Sequence, residues 1–391
     1  MTLNELTLNF EKHYGEGGTI ITAFAPGRVN LIGEHIDYNG GYVFPCALSF
    51  GTYVAARTRN DGQINLASLN MPKKVTVTLN NLAYNEENDW TNYPLGVLNE
   101  FIKAGFSQEI TGVDMLFFGN VPQGAGLSSS ASLEVATGVL VNALFNLNVD
   151  MVELVKMAQR AENLFVGVSC GIMDQFASGM GRKDHAIMLN CSNLKYQYAP
   201  VKLDGMKIII ANTNKKRGLL DSKYNERCDE CESALSDLKS TAFPNISFLC
   251  DIAPNEFMSA INNIKNPMVA KRAQHAVFEN QRVIDAVDKL NANDIVGFGQ
   301  LMIQSHESLR DLYEVTGNEL DTLFEEALKI DGCVGSRMTG AGFGGCTVSI
   351  VKDAAVQNFI EQVGKNYTQR TGLVADFYIA EIGAGASVIS V

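Results

Sequence analysis

The stretch VPQGAGLSSSASL, residues 121–133, joins a short apolar and aromatic segment at 113–118 to a helical pattern that runs from Leu127 to about Leu147. Gly124 and Gly126 permit backbone angles and close approaches that a β-carbon would block. The stretch therefore predicts a glycine-rich loop that connects a buried segment to a long helix.

Three consecutive serines follow these glycines. Ser128, Ser129 and Ser130 supply hydroxyls where the first turn of a helix leaves its N–H groups without partners. The helix dipole adds about half a positive charge at the same end. Together these features predict an anion-binding loop, with phosphate as the leading candidate. The alternative is a serine-capped helix after a glycine turn. A Walker A loop is excluded because no Gly-Lys-Ser/Thr follows the glycines.

Length and composition predict a two-domain globular protein. A chain of 391 residues with 46% hydrophobic and 19% charged residues is too long for one ordinary core and has ample apolar material for two. Residues 190–200 are polar and turn-rich, which places the boundary there and gives domains at 1–200 and 201–391.

Charge and targeting signals exclude several classes of partner. The formal net charge of −12 argues against nucleic acid or an anionic membrane. The sequence contains no run of eighteen or more uncharged apolar residues, so no membrane-spanning helix is predicted. The polar N-terminus does not resemble a signal peptide. Eight scattered cysteines lack the spacing of a disulfide framework, so we expect a cytoplasmic, reduced protein.

A second unusual stretch, GRVNLIGEHIDYNGGYVF, covers residues 27–44, after a strand predicted at 19–25 that Pro26 and Gly27 are expected to break. Arg28, Glu34, His35 and Asp37 fall within ten residues among apolar neighbours, where charges are kept only if they are paired or used. Such a cluster can supply the fixed acceptors and donors that a sugar needs. A surface loop with a local ion pair is the alternative, and the cluster lacks the regular spacing of a metal site.

Two further acidic residues lie where a carboxylate is unfavourable unless it has a structural or catalytic role. Glu162 comes late in a predicted helix that Asp150 caps, where its carboxylate opposes the dipole unless a cation compensates. Asp174 lies among apolar residues in CGIMDQF and is either a capping or a working group. By contrast, Cys228 and Cys231 form a CxxC without a second pair or a nearby His, and we expect structural cysteines on a helix.

The remaining pattern alternates strands and helices, without a repeat or a low-complexity segment. The lone tryptophan, Trp90, is either an aromatic wall for a base or core filler. A third glycine-rich loop, SRMTGAGFGGCTVSIV at 336–351, enters a strand. Strands are predicted at 48–57, 63–68, 74–79, 206–213 and 376–381, and helices at 3–14, 219–238, 267–289, 292–312, 318–330 and 355–371.

The three glycine-rich stretches together resemble the three motifs of the GHMP small-molecule kinases. The first is similar to the motif of the galactose-specific members in nearly every position, with Ile36 and Phe44 as mild departures. CGIMDQF, the Tyr-Asn-x-Arg that begins at Tyr224 and the Trp90/Tyr93 pair also resemble family positions. The similarity spans Phe24 to about Val348.

This resemblance implies an α+β fold of two domains with the active site between them. The N-terminal domain would be like the second domain of ribosomal protein S5, and the C-terminal domain would be ferredoxin-like. The implied activity is Mg²⁺- and ATP-dependent phosphorylation of the C1 hydroxyl of galactose to galactose 1-phosphate and ADP, the first committed step of galactose use. We expect a monomer, with an oligomer left open.

The resemblance also implies roles for individual residues. Asp174 would be the catalytic base and Arg28 its partner, while Ser130 and Glu162 would hold Mg²⁺. The sugar would be bound by Glu34, His35, Ile36, Asp37, Gly171 and Tyr224. The nucleotide would be bound by Ser68, Trp90, Tyr93, Gly124, Ala125, Gly126, Leu127, Ser128, Ser129 and Ser130.

Two rival functions follow from the same motifs. One is a kinase for N-acetylgalactosamine, because the room at the sugar C2 position depends on residues that the motifs do not identify. The other is a sensor that binds sugar and ATP without turnover. Family members of that kind lack the Ser-Ala pair that Ser130 and Ala131 form here, so an enzyme is favoured. A purely structural role leaves the glycine-rich loops and the charges at the core edge unexplained.

Overall fold

The chain forms mixed helices and strands in the residues that the computed structural model describes, 2–122, 126–168, 170–215 and 220–390. The helices are α1 (Leu3–Tyr14), α2 (Asn92–Lys103), α3 (Ser129–Leu144), α4 (Met151–Arg160), α5 (Met173–Met180), α6 (Leu220–Thr241), α7 (Pro254–Ala260), α8 (Pro267–Asn291), α9 (Ile295–Ser308), α10 (Asn318–Leu328) and α11 (Val356–Thr371). The strands are β1 (Ile21–Asn30), β2 (Tyr42–Val43), β3 (Pro45–Thr58), β4 (Gln63–Ser68), β5 (Val75–Thr78), β6 (Val113–Gly119), β7 (His185–Asn190), β8 (Tyr196–Pro200), β9 (Met206–Asn212), β10 (Cys333–Thr339), β11 (Cys346–Lys352), β12 (Asp376–Ala380) and β13 (Ser387–Ser390). Two π-helical turns extend α4 and α9, at Ala161–Val166 and Leu309–Tyr313.

The first sheet has six strands in the order β13-β1-β3-β6-β4-β5. The expected break of its first strand at Pro26 is wrong, because β1 continues to Asn30 and pairs with β3 on both sides of that point. A register shift between Pro26 and Arg28 absorbs the missing proline N–H. As a result, β1 carries Arg28 directly into the first motif.

The second sheet has four strands in the order β10-β11-β9-β12. All three of its pairings are antiparallel. Helices α10 and α11 cover it with a separate core that includes Leu323, Phe359 and Tyr367. This strand order, with helices between the first and second and between the third and fourth strands, is the ferredoxin-like arrangement that was expected.

A third, three-stranded sheet, β2-β7-β8, lies where the domain boundary was expected. The interpretation of 190–200 as a turn-rich connection is therefore wrong in part, since Tyr196–Pro200 pairs with β7. The strand is exposed at Tyr196 and Gln197, which gives it the polar composition of a loop. The division at residue 200 stays a prediction, although β13 from the second half pairs with β1 of the first sheet.

The largest core cluster joins the two halves. Val29 and Ile36 of the first motif pack in the same cluster as Val283 of α8, Phe298 of α9 and Met338 of β10. The first and third glycine-rich stretches therefore pack on the same hydrophobic core. In the described part of the chain, no helix has the length and apolar character needed to cross a membrane.

Candidate active site

A cavity of about 390 Å³ brings the three glycine-rich stretches together. Residues of each stretch contribute to its walls, together with the CGIMD segment and one side chain of α6. Its described lining includes Arg28, Gly33, Glu34, His35, Asp37, Gly126, Leu127, Ser128, Ser129, Ser130, Cys170, Gly171, Asp174, Tyr224, Gly340 and Ala341. Most of the predicted sugar, phosphate and catalytic residues thus meet in one place.

Arg28 and Asp174 form a forked ion pair in this cavity. The Arg28 Nε and Nη2 atoms each donate to one carboxylate oxygen of Asp174 at 2.7 Å. The Arg28 Nη1 atom donates to the Gly126 carbonyl at 2.8 Å, and the Arg28 backbone N–H donates to the Leu127 carbonyl at 3.2 Å. The guanidinium is buried, whereas the Asp174 side chain is 29% exposed toward the cavity. Arg28 therefore fixes both the carboxylate and the loop of the second stretch.

Ser128 has a different role from the helix cap that the serine pattern predicted. It lies at the N-cap position of α3 but makes no side-chain capping bond, and its φ of 59° is left-handed. Its hydroxyl donates instead to Asp174 Oδ2 in a short hydrogen bond. Two groups, one charged and one neutral, therefore orient the same carboxylate.

Glu34, in the turn after β1, is held by donors from the end of that strand and from the third stretch. Its Oε1 atom accepts from the Gly340 N–H at 2.5 Å and from the Thr339 hydroxyl at 3.1 Å, and its Oε2 atom accepts from Asn30. Burial raises the pKa of Glu34, and the Arg337 guanidinium at 3.6 Å opposes that rise.

The hydrogen bonds of His35 define the state of its ring. Its Nε2 atom lies 3.1 Å from the Ala341 carbonyl, which can only accept, so Nε2 carries the proton. Its Nδ1 atom then accepts from the Tyr38 hydroxyl at 2.9 Å. Burial lowers the pKa of His35 to about 3, so the imidazole is neutral.

Asp37 lies against Gly171 and has an altered pKa. Burial raises the pKa of Asp37 to about 6, and the negative charge of Asp174 contributes to the rise. A β-carbon at Gly171 would lie 2.2 Å from the Asp37 Oδ2 atom, so only glycine fits. Tyr224 lines the same cavity, with its ring centroid 5.6 Å from that of His35. The Ile36 side chain, by contrast, packs into the core and does not line the cavity.

Ser130 and Glu162, the two residues predicted to hold Mg²⁺, also lie next to each other. The Ser130 hydroxyl hydrogen-bonds to Glu162, which lies in the π-helical turn after α4. Burial raises the pKa of Glu162, and the charge of Asp174 adds to this effect. Gln175 Nε2 donates to Glu162 at 2.6 Å, and no ion pair to Glu162 occurs among the described residues.

The sequence interpretation missed two buried side chains next to Ser130 and Glu162, namely those of Glu134 and Gln175. Glu134 accepts from Gln175 Nε2 at 3.0 Å, and burial together with the Glu162 charge holds its pKa well above the usual range. Glu134 follows Ser130 by four residues, which places both on one face of α3. That spacing was the available signal, but a glutamate in an apolar helix pattern is usually solvent-exposed.

The residues expected around adenine lie outside the described lining of the cavity. Trp90 is 7% exposed and belongs to the first sheet's core, with its ring 5.5 Å from Phe117, a strand neighbour of Ser68. Its indole N–H has no partner in the described part of the chain. Burial raises the pKa of Tyr93 to about 12. Gly124 and Ala125 lie outside the described residues.

Comparison with known proteins identifies the class. Residues 92–182 match the model of the GHMP kinases N terminal domain, and residues 286–369 match that of the GHMP kinases C terminal region. The crystal structure of Methanococcus jannaschii mevalonate kinase has the same fold, with a TM-score of 0.66 at 19% identity over 94% of this chain and 99% of that one. The fold is therefore that of a GHMP small-molecule kinase.

Relatives with higher sequence identity define the family within this class. Residues 8–58 match the galactokinase galactose-binding signature. The chain is 54% identical to the galactokinase of Fusobacterium nucleatum over 99% of its length and 100% of the relative's. The crystal structure of Lactococcus lactis galactokinase complexed with galactose matches with a TM-score of 0.95 at 43% identity over 100% of both chains. The chain belongs to the galactokinase family.

Proposed function

We propose that the protein transfers the γ-phosphoryl group of ATP to the C1 hydroxyl of galactose, which gives galactose 1-phosphate and ADP. Membership of the galactokinase family supports this reaction. The observation that carries the assignment of roles is the oriented carboxylate of Asp174, which lies in one cavity with the polar cluster of the first motif and the start of α3. The two sides of that cavity suit a sugar and a chain of phosphates.

Asp174 would receive the proton of the sugar hydroxyl. As the C1 oxygen forms its bond to the γ-phosphorus, the bond from phosphorus to the bridging oxygen of ADP breaks, and the hydroxyl proton passes to the carboxylate. Arg28 orients the carboxylate through two hydrogen bonds and contributes positive charge beside the transferred group. The hydrogen bond from Ser128 fixes the carboxylate plane.

The phosphates would bind at the start of α3. The N-terminus of this helix, at Ser129, carries the positive end of a dipole from sixteen residues. The loop before it is tied to β1 through Arg28. A chain with a net charge of −12 needs such a local positive site for an anionic substrate.

The buried carboxylate of Glu162 fits a magnesium ion. Mg²⁺ is usually held by one or two carboxylates together with substrate phosphates and water, and Glu162 with the Ser130 hydroxyl supplies the protein's share. In the described residues, no group of three or more His, Cys, Asp or Glu could hold a metal. The ion would neutralise phosphate charge.

The sugar would be recognised by Asp37, His35 and Glu34, with Tyr224 from the other half of the chain. Asp37 accepts from the backbone N–H groups of Tyr38 and of Asp37 itself, whereas Glu34 accepts from three protein donors, so Asp37 has more acceptor capacity left for sugar hydroxyls. An epimer that leaves a buried acceptor unpaired should lose about 1–3 kcal/mol for each missing partner. We therefore expect glucose, the C4 epimer, to react at least ~10-fold less efficiently than galactose.

A cytoplasmic location and a monomeric state complete the proposal. All eight cysteines, which lie in the described part of the chain, are thiols rather than disulfides, as in a reducing compartment.

The test is an assay of ATP consumption with galactose, N-acetylgalactosamine, glucose, arabinose and mevalonate, with the phosphorylated carbon located by NMR. We expect galactose to give the highest kcat/KM and a phosphate on C1. A higher kcat/KM for N-acetylgalactosamine would replace the substrate assignment. Galactose binding without turnover of any compound would favour the sensor instead.

A further inference from the structure

The loop that carries Glu34 and His35 has an unfavourable backbone. Gly33 has a φ of 99° and His35 a φ of 60°, and the latter is uncommon for a residue with a side chain. A β-carbon at Gly33 would lie 2.7 Å from the Tyr42 carbonyl. Such a conformation persists only where surrounding contacts determine it.

Those contacts come from α8, in the other half of the chain. The Gly33 N–H donates to Glu279 Oε1 at 2.9 Å. His275 Nε2 lies 3.1 Å from the Glu34 carbonyl and therefore donates to it. The Tyr42 N–H, after the loop, donates to Asn280 Oδ1 at 2.8 Å. One face of one helix thus holds three backbone groups of the first motif.

His275 is fixed in turn. It is fully buried, and its Nδ1 atom accepts from the Ser308 hydroxyl at 2.8 Å. Burial lowers the pKa of His275 to about 4, so the ring is neutral and has one donor and one acceptor. Each nitrogen has one protein partner, and neither faces the cavity.

A second route joins the same histidine to the sugar cluster. The His275 ring packs on Tyr313 with centroids 4.6 Å apart, and Tyr313 packs on His35 at 5.0 Å. The Tyr313 hydroxyl lies 2.7 Å from that of Tyr38, which donates to His35. Tyr313 ends the π-helical turn after α9.

We infer that His275 is a positioning residue for galactose binding, which acts by holding the Glu34 backbone and the left-handed His35 without touching the substrate. This inference rests on the proposed function. It follows that loss of the His275 donor should weaken sugar binding much more than ATP binding, because the described residues of the phosphate loop hydrogen-bond to Arg28 and form no hydrogen bond to α8.

The test compares four variants with the wild type by calorimetric titration with galactose in the absence of ATP, and by the KM for each substrate. His275→Leu removes the donor, whereas His275→Gln keeps an N–H near the same position. Val287→Ala is the matched control, since it makes a cavity in the buried face of α8 twelve residues further along and removes no side-chain hydrogen bond. A smaller change, Ser308→Ala, removes only the partner of His275 Nδ1 and serves if the leucine variant does not fold.

We expect His275→Leu to raise the Kd and the KM for galactose about tenfold or more, with the KM for ATP within about twofold of the wild type. His275→Gln should recover most of the loss, Ser308→Ala should show a smaller rise in the same direction, and the control should change neither constant. Equal changes in both KM values, or an unchanged galactose Kd in the leucine and Ser308 variants, would overturn the inference. A wild type that does not bind galactose would refute the proposed function itself, and this inference with it.

Discussion

The ion pair between Arg28 and Asp174 offers the sharpest test of the catalytic assignment. Arg28 donates two hydrogen bonds to Asp174 at 2.7 Å and a third to the Gly126 carbonyl at 2.8 Å. Lysine would keep the positive charge but cannot form the planar fork, so Arg28→Lys removes at least one bond to the carboxylate and the bond to the loop.

The magnitude follows from those lost bonds. A hydrogen bond to a charged group contributes about 1.5–3 kcal/mol, which gives roughly 3–6 kcal/mol for two. Because Asp174 is 29% exposed, solvent screening reduces this value, and about 2–3 kcal/mol is a reasonable expectation. That corresponds to a fall in kcat of about 30- to 150-fold. Arg28→Met, which also removes the charge, should reduce kcat further.

The assay is the initial rate of galactose-dependent ADP formation, with ATP binding measured separately. Arg59→Lys is the matched control, because Arg59 also forks between carboxylates, Asp61 and Asp114, away from the cavity. We expect the control to keep the wild-type kcat. An Arg28→Lys enzyme within threefold of the wild type in kcat would show that the fork does not orient a reacting group.

Five further outcomes are expected. Asp174→Asn should lower kcat by ~10²–10⁴ with ATP binding nearly intact, and turnover close to wild type would remove Asp174 from the role of base. Glu162→Gln should raise the Mg²⁺ concentration for half-maximal rate and leave thermal stability almost unchanged; an unchanged requirement would place the ion elsewhere. Asp37→Ala should raise the KM for galactose much more than the KM for ATP, and it should reduce the preference for galactose over glucose. Equal kcat/KM values for the two sugars in the wild type would show that this cluster does not recognise the C4 hydroxyl. Burial raises the pKa of Asp37 to about 6, so kcat/KM for galactose should fall as the carboxylate is lost below pH 6, whereas a flat profile from pH 7 to 5 would contradict an ionised Asp37 as the acceptor. The same raised pKa means that the folded state keeps this proton longer than the unfolded state, so the Asp37 contribution to the free energy of unfolding should decrease as pH rises from about 4 to 6.

Elements whose signals are local could be predicted from the sequence. The pattern at 3–14 matches α1, which a capping box at Thr2 and Glu5 begins. Asp150 caps α4 as expected, and its side chain accepts from the Glu153 N–H. Such signals lie within a few residues of the element, so one chain segment contains all the information needed.

Elements that depend on a distant partner could not be predicted in this way. Pro26 reads as a strand breaker, yet β3 lies beside β1 and carries the pairing past the irregularity. The final strand, β13, was not predicted, because only four residues form it and its partner lies more than 350 residues earlier. In both cases the tertiary pairing overrides a weak local preference.

The same distinction applies to the site. The motifs identified Arg28 and Asp174, but nothing in the spacing of serines indicated that Ser128 would bind Asp174 rather than cap its helix. The role of His275 had no signal at all, since a lone histidine in an apolar helix pattern is usually a satisfied core residue. His275 is such a residue here. Because its hydrogen-bond partner is the Glu34 carbonyl, we infer that it also affects sugar binding.

The third glycine-rich stretch, which the sequence pattern alone gave no separate role, contacts the residues proposed to bind the sugar. The Gly340 N–H and the Thr339 hydroxyl hold the carboxylate of Glu34, and the Ala341 carbonyl fixes the tautomer of His35. Gly340 has a φ of 87°, a conformation that glycine adopts at little cost and that aims its N–H at Glu34. In the second stretch, Ser128 donates to Asp174 and the Gly126 carbonyl accepts from Arg28, so this stretch holds the proposed catalytic pair. Because Arg28, Glu34 and His35 of the first stretch take part in most of these contacts, the proposed sugar site, phosphate site and proton acceptor would all be positioned relative to one short segment, 28–35.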